Sequence, residues 1–332
     1  MLKDIKNIEP DQLSQEELLN TRSAILKEIE NRKSKTRGLE SVEEGIIPSN
    51  ELVEKLRTIE KVIYGVDDRK EAYEINNSQI KDRINSVVAL IRNDNIRDNG
   101  DGKSTIRTRI FGVARNLCEN EKFYNQPIAP FCSGFLVAKD LIATAAHCVD
   151  NPEDLQSIRF VFGFRMKNET EGPMVIDNSD IYEGEKIVKR VFDNNGPDWA
   201  IIKLKRNVVG GDHKPVILRR SGKISDNESV YVIGHPVGLP TKFADGANVR
   251  NNNNESFFVC NLDTYGGNSG SPVFNSTTHE LEGILVRGET DFIVTENGCR
   301  KSNVCPQNDP NLVCRGEDCT RSTEFGDLVP SD

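Results

Sequence analysis

Apolar positions follow two different rhythms along the chain, and the change falls near residue 84. From about residue 11 to 64 they recur at helical spacing. Leu18, Ile25, Leu26 and Ile29 form one run, and Leu52, Leu56, Ile59 and Ile63 form a second. Residues three or four apart share a helix face, so each run predicts an amphipathic helix. Ser14 and Glu17 supply an S-x-x-E capping box at the start of the first, which satisfies two orphan backbone donors. The second starts at Ser49 or Asn50, just after Pro48, and the charged linker Lys33 to Pro48 carries Gly38 and Gly45. Two such helices must bury their apolar faces. They form a hairpin resting on the main domain, a removable prosegment, or a partner-binding module.

Beyond residue 84 the pattern turns to short β-branched and aromatic runs between turn residues. These are Val87 to Ile91, Phe135 to Val137, Ile158 to Phe164, Ala200 to Leu204, Val230 to Ile233, Phe257 to Val259, Val273 to Phe274 and Gly283 to Val286. Many short strands without intervening helices predict an all-β sandwich or barrel. The Asn251 to Asn254 run reads as a solvated loop, and no repeat of fixed period stands out.

Composition narrows the function classes. In 332 residues the formal net charge is −9, with 36% hydrophobic and 29% charged residues. An acidic chain repels phosphate backbones, which argues against nucleic acid as a partner. No apolar run approaches the roughly 20 residues of a membrane span. The opening Met1 to Pro10 lacks the basic head and apolar stretch of a signal peptide. Cysteine usage points the other way. Cys118, Cys132, Cys148 and Cys260 are followed by Cys299, Cys305, Cys314 and Cys319 in a short C-terminal stretch. An even count so clustered favours disulfides and a secreted or periplasmic compartment. Zinc is the competing reading of that stretch, although its spacings lack a CxxC knuckle.

Three segments carry chemistry. Hydrolysis through a serine needs a hydroxyl on a tight turn, an imidazole to take its proton, a carboxylate to orient the imidazole, and backbone N–H groups facing the oxyanion. Gly266-Gly267-Asn268-Ser269-Gly270-Ser271-Pro272 supplies the turn, with the N–H groups of Gly267 and Ser269 as oxyanion donors. Leu141 to Cys148, ending Thr144-Ala145-Ala146-His147-Cys148, supplies the imidazole. Asp198 heads the apolar run Trp199 to Leu204. Alone, His147 reads as a buried structural histidine and Asp198 as a strand cap.

In residue type, local context and order the three together resemble the chymotrypsin clan of serine peptidases. The resemblance spans roughly residues 62 to 290. It implies a double six-stranded antiparallel β-barrel, preceded here by the α-helical segment. It also implies His147 as general base, Asp198 as its orienting acid, Ser269 as nucleophile, and a Cys132–Cys148 disulfide around the histidine loop. Two domains follow: residues 1–61, a possible prosegment cut between Lys61 and Val62, and residues 62–332, the peptidase domain with its Cys-rich end. Within the clan, Gly266 to Asn275 and Val62 to Arg69 are similar to the bacterial glutamyl endopeptidase group. Two departures stand out. Asn268 replaces the acid that pairs with a new N-terminus in the animal enzymes, and Val286 replaces a serine that helps hold the triad acid.

The same resemblance makes Asp263, six residues before the nucleophile, the floor of a specificity pocket, with Thr264 beside it and Gly288 at the mouth. A carboxylate there implies cleavage after Arg or Lys, whereas the glutamyl enzymes lack this acid. Arg287, next to Gly288, is a cation that could neutralise Asp263 or favour an acidic substrate instead. His213, His235 and His279 read as structural or exposed. No cofactor is implied, and the partners are protein or peptide substrates. The alternatives are a Glu-specific endopeptidase, and a non-catalytic or autoinhibited module that binds or regulates.

Overall fold

The computed structural model describes residues 63–65, 67–210, 212–288, 291–306 and 314–330. The predicted helices before residue 63 lie outside the described residues. Ile63, placed on the face of the second, is instead in a strand: Ile63–Tyr64 pairs in parallel with Val304–Cys305. Burial and the bond from the Ile63 N–H to the Asn303 carbonyl decide its conformation over the helical spacing. A helix that the apolar pattern does not announce spans Ser78–Asn85, capped by the Asn77 side chain.

Twelve strands build two closed antiparallel barrels. In the first, β1 (Val87–Arg92), β2 (Cys132–Ala138), β3 (Leu141–Thr144), β4 (Ile158–Phe162), β5 (Ile181–Phe192) and β6 (Asp198–Leu204) close in the order β4-β5-β6-β3-β2-β1. In the second, β7 (Ser229–Gly234), β8 (Lys242–Asn251), β9 (Phe257–Cys260), β10 (Pro272–Asn275), β11 (Leu281–Arg287) and β12 (Glu317–Arg321) run β7-β10-β11-β12-β9-β8, and β7–β8 pairing closes the ring. The short strand Lys70–Glu71 adds to the outside of β8.

Alternation sets the cores. In β7, Val230 and Val232 join a cluster with Phe258, Leu262, Val273 and Leu285. Their neighbours Tyr231 and Ile233 join the cluster that also holds Phe135, Ile142, Phe160 and Trp199 of the first barrel. Successive side chains on a strand face opposite sides, so one strand serves two cores. The barrels therefore share apolar surface along a common face.

Cysteine chemistry settles the C-terminal cluster. Cys118 is bonded to Cys299 and Cys305 to Cys314, so the zinc reading of this stretch gives way to disulfides. Cys260 and Cys319 are free and buried inside the second barrel. Burial, and then the neighbouring Cys260, push the Cys319 thiol well above its usual range. Among the described residues, no helix is long and apolar enough to cross a membrane.

Candidate active site

His147 sits on a short 3-10 turn, Ala146–Cys148, at the end of β3. Asp198 opens β6, which pairs with β3, and the pairing brings acid and imidazole together. The His147 Nδ1–H donates to Asp198 Oδ2 at 2.7 Å, and the His147 backbone N–H donates to Asp198 Oδ1 at 3.2 Å. The acid is fully buried, while 28% of the imidazole side chain remains exposed. Occupying Nδ1 in this way leaves the lone pair of Nε2 for a proton from outside.

The chain pins this pair from three directions. Arg190 of β5 donates through Nε to the carbonyls of Ala146 and Val149, both at 3.0 Å, bracketing the histidine turn. Cys148 is bonded to Cys132. Behind the acid, the Asp198 N–H donates to Thr320 Oγ1 at 3.1 Å, and the Thr320 hydroxyl donates to the Asp198 carbonyl at 3.3 Å. Val286, where a serine would have held the acid, is buried and apolar. Neither Arg190 nor Thr320 has a sequence signal, because each acts through a partner about 40 or more residues away.

Ser269 lies on the loop between β9 and β10. Its carbonyl accepts from the Ser133 N–H at 2.9 Å and lies 3.7 Å from the sulfur of Cys148, next to His147. Gly270 has φ +86° and packs so tightly that a Cβ there would fall 2.0 Å from the Ser133 carbonyl oxygen and 3.1 Å from the Ala145 nitrogen. The loop is thus seated against the histidine segment. Gly267, at φ +83°, is equally constrained: a Cβ would meet the His235 carbonyl at 2.8 Å. The Gly266 carbonyl accepts from the Val237 N–H. Carbonyl and N–H of one trans peptide point in opposite directions, so the Gly267 N–H is turned away from Val237. Ser133 Oγ donates to the Gly267 carbonyl and accepts from the His235 N–H, both at 3.0 Å, fixing the loop from below.

His235 is a support for this loop. Its Nδ1–H donates to the Leu239 carbonyl at 3.1 Å, and burial holds its pKa down to about 3, so it stays neutral. His213 stacks on Phe162 and bonds the Asn85 carbonyl, and His279 bonds the Tyr231 hydroxyl. Asn268 is buried and accepts from Ser271 Oγ at 3.3 Å. The Cys132, His147 and Cys148 ligand atoms lie within 4.8 Å of one another, but both sulfurs are in the disulfide and offer no thiolate to a metal.

The pocket residues call for a correction. The Asp263 carboxylate is turned to the backbone after residue 62. Its Oδ1 accepts from the Tyr64 N–H at 2.7 Å and its Oδ2 from the Asp68 N–H at 3.1 Å, so the carboxylate anchors the segment after residue 62. Arg287 does not neutralise it: its guanidinium pairs with Asp318 at 3.0 Å and donates to the carbonyls of Asp193 and Gly196. Thr264 is fully buried. The acid that reaches Gly288 is one that local pattern did not single out. A Cβ on Gly288 would fall 1.6 Å from Glu317 Oε2, so the Glu317 carboxyl occupies the space beside it.

Two closed six-stranded barrels, with His147, Asp198 and the Ser269 loop at their junction, make a chymotrypsin-like all-β fold. A family model described as a trypsin-like peptidase domain matches residues 132–284. The chain is 29% identical over 162 residues to the glutamyl endopeptidase of Staphylococcus aureus strain MRSA252, covering 46% of this chain and 41% of that one. The same enzyme from strain MW2 matches at 29%, with 45% of its length covered. The chain spans under half the length of these curated relatives. The matched family range ends before β12, the strand that completes the second barrel and carries Glu317 and Thr320.

Proposed function

We propose that the protein is a serine endopeptidase acting through an acyl-enzyme. Ser269 Oγ attacks the scissile carbonyl while His147 Nε2 takes its proton. Asp198 keeps the imidazole in the Nδ1–H tautomer and stabilises the imidazolium. The Gly267 and Ser269 N–H groups receive the oxyanion. His147 then returns the proton to the leaving amine, and water releases the acyl group by the reverse route. The single observation that carries this reading is the buried Asp198 carboxylate bonded to both the ring and the backbone of His147. A structural histidine has no need of a buried acid bonded to both its ring and its backbone. The test is labelling with a fluorophosphonate. Modification of Ser269, lost in Ser269→Ala and reduced about 10⁴-fold in rate by Asp198→Asn, supports the triad; labelling indifferent to Asp198 refutes it.

Specificity divides into two readings. Glu317, buried against Gly288, favours a positively charged side chain before the scissile bond, since a buried carboxylate is stabilised by a matching cation. The relatives' name favours cleavage after Glu. Peptides carrying Arg, Lys or Glu before a fluorescent leaving group separate the two. Residues 1–61 fit a prosegment removed between Lys61 and Val62, because Ile63 and Tyr64, just beyond that bond, are buried, with the Ile63 N–H on the Asn303 carbonyl and the Tyr64 N–H on Asp263.

A further inference from the structure

A cavity of about 350 Å³ opens beside the nucleophile loop and is lined by three arginines, Arg107, Arg109 and Arg115, together with Phe131, Gly266 and Gly267. All three arginines come from the excursion between β1 and β2. Arg107 follows the strand Lys103–Ile106, Arg109 begins the pair Arg109–Ile110 with Pro127–Ile128, and Arg115 ends the helix Phe111–Arg115. This excursion is anchored. Phe111 is buried against Phe292, and Cys118 is bonded to Cys299. None of the three guanidinium groups has an ion-pair or hydrogen-bond partner among the described residues. The Gly266 N–H in the cavity wall donates to both carboxylate oxygens of Asp291, each at 3.0 Å.

Three uncompensated cations gathered in one concave site are unusual in a chain of net charge −9. Guanidinium groups present a planar fork that matches a carboxylate, and a concave wall concentrates their field. The position of the cavity states which part of a substrate meets it. Gly267, the oxyanion donor, is part of its wall, and Phe131 adjoins Cys132, whose disulfide leads to Cys148 beside His147. The leaving amine receives its proton from His147, so it departs on this side. On the endopeptidase reading, the end of β11, with Gly288, takes the acyl side.

We propose that the arginine-lined cavity binds acidic side chains in the substrate segment that follows the scissile bond. This rests on the endopeptidase reading above. An extended peptide rises about 3.3 Å per residue, so the first three residues after the bond come within reach of a cavity bordered by Gly267.

The experiment uses the full chain and internally quenched peptides that share one acyl-side sequence. They carry Glu, Gln or Lys at each of the first three positions after the cleaved bond. The readout is the ratio of kcat/KM values, which does not depend on the fraction of active enzyme. Glu is expected to exceed Gln by about five-fold at one position and Lys to fall below Gln, with the differences shrinking at about 0.5 M salt. The triple variant Arg107→Gln, Arg109→Gln, Arg115→Gln should bring the Glu-to-Gln ratio to one, and Arg109→Glu should raise Lys relative to Glu. Thermal unfolding verifies that both variants are folded. Equal rates for Glu and Gln in the unmodified protein, or a Glu preference that survives the triple variant, overturn the proposal. A substrate with a small non-peptide leaving group separates the two levels. If Ser269-dependent turnover of that substrate occurs with no Glu preference in the peptides, only the cavity assignment falls. If neither substrate is turned over and no label attaches to Ser269, the peptidase reading falls and takes the cavity with it.

Discussion

At the residue scale the candidate acid is held by a neighbour from the far end of the chain. Thr320 uses one hydroxyl to bond both the N–H and the carbonyl of Asp198. Thr320→Val keeps the shape and removes both bonds from a buried stretch of main chain. The expected cost is about 1–3 kcal/mol of stability, measured by urea unfolding. The rate of Ser269 labelling should fall with it, because the acid that aligns His147 is less well fixed. A variant as stable and as reactive as the parent would show that Asp198 needs no such tether. The same scale explains why Asp263 misleads. Its offset from Ser269 is a property of the sequence, but the direction of its carboxylate is decided by the two backbone N–H groups of Tyr64 and Asp68, nearly 200 residues away.

At the element scale, β11 and β12 close the second barrel and hold the turn before Asp198. Arg287 joins the three: it pairs with Asp318 on β12 and caps the carbonyls of Asp193 and Gly196. Both side chains of the pair are over 90% buried. Arg287→Met removes one partner of a buried pair, for which losses of 3–5 kcal/mol are usual. Arg315 stays 2.7 Å from Asp318, so a loss of about 3 kcal/mol in urea unfolding is expected, and no change would contradict the bridging role. The runs read as strands in the sequence fall on β1, β2, β4, β6, β7, β9, β10 and β11, with only Gly163 and Phe164 running past the end of β4, because their β-branched and aromatic residues pack on a barrel wall. Four strands were not legible as strands. β3 is only four residues long and reads as the segment leading to His147, β5 and β8 are long but rich in Lys, Arg, Asn and Gly, and β12 reads Glu-Asp-Cys-Thr-Arg. The place of the last three in the barrels comes from pairing with neighbours and from buried ion pairs, neither of which leaves an apolar period. The three catalytic candidates were legible because their chemistry demands particular residues in short fixed contexts. Glu317, Arg190 and the arginine cavity have no such local context.

At the scale of the whole molecule, the segment after residue 62 is clasped to the second barrel by acids as well as by apolar packing. Burial, and then the Asp263 carboxylate, push the Asp68 carboxyl well above its usual range; burial raises Asp263 despite its two backbone donors. Two such acids share a proton and titrate as a pair. With folded pKa values above the unfolded ones, the native state binds more protons than the unfolded chain between about pH 4 and 8. The contribution is therefore fully present at low pH and lost as pH rises through that window. The thermal midpoint of Ser269→Ala, chosen to prevent autolysis, should be lower at pH 8.5 than at pH 5. Adding Asp68→Asn, which imitates the protonated form, should shrink that difference; an unchanged difference would remove the pair from the account.

The Cys118–Cys299 bond has a consequence of another kind. It joins residues 181 apart in sequence, and His147, Asp198 and Ser269 all lie between its ends. The proposed machinery for cutting chains thus sits on a covalent ring. A single nick anywhere in that ring, whether self-inflicted or made by another peptidase, opens it without releasing a fragment. The two new ends remain on one molecule, and only cleavage together with reduction lets the pieces part.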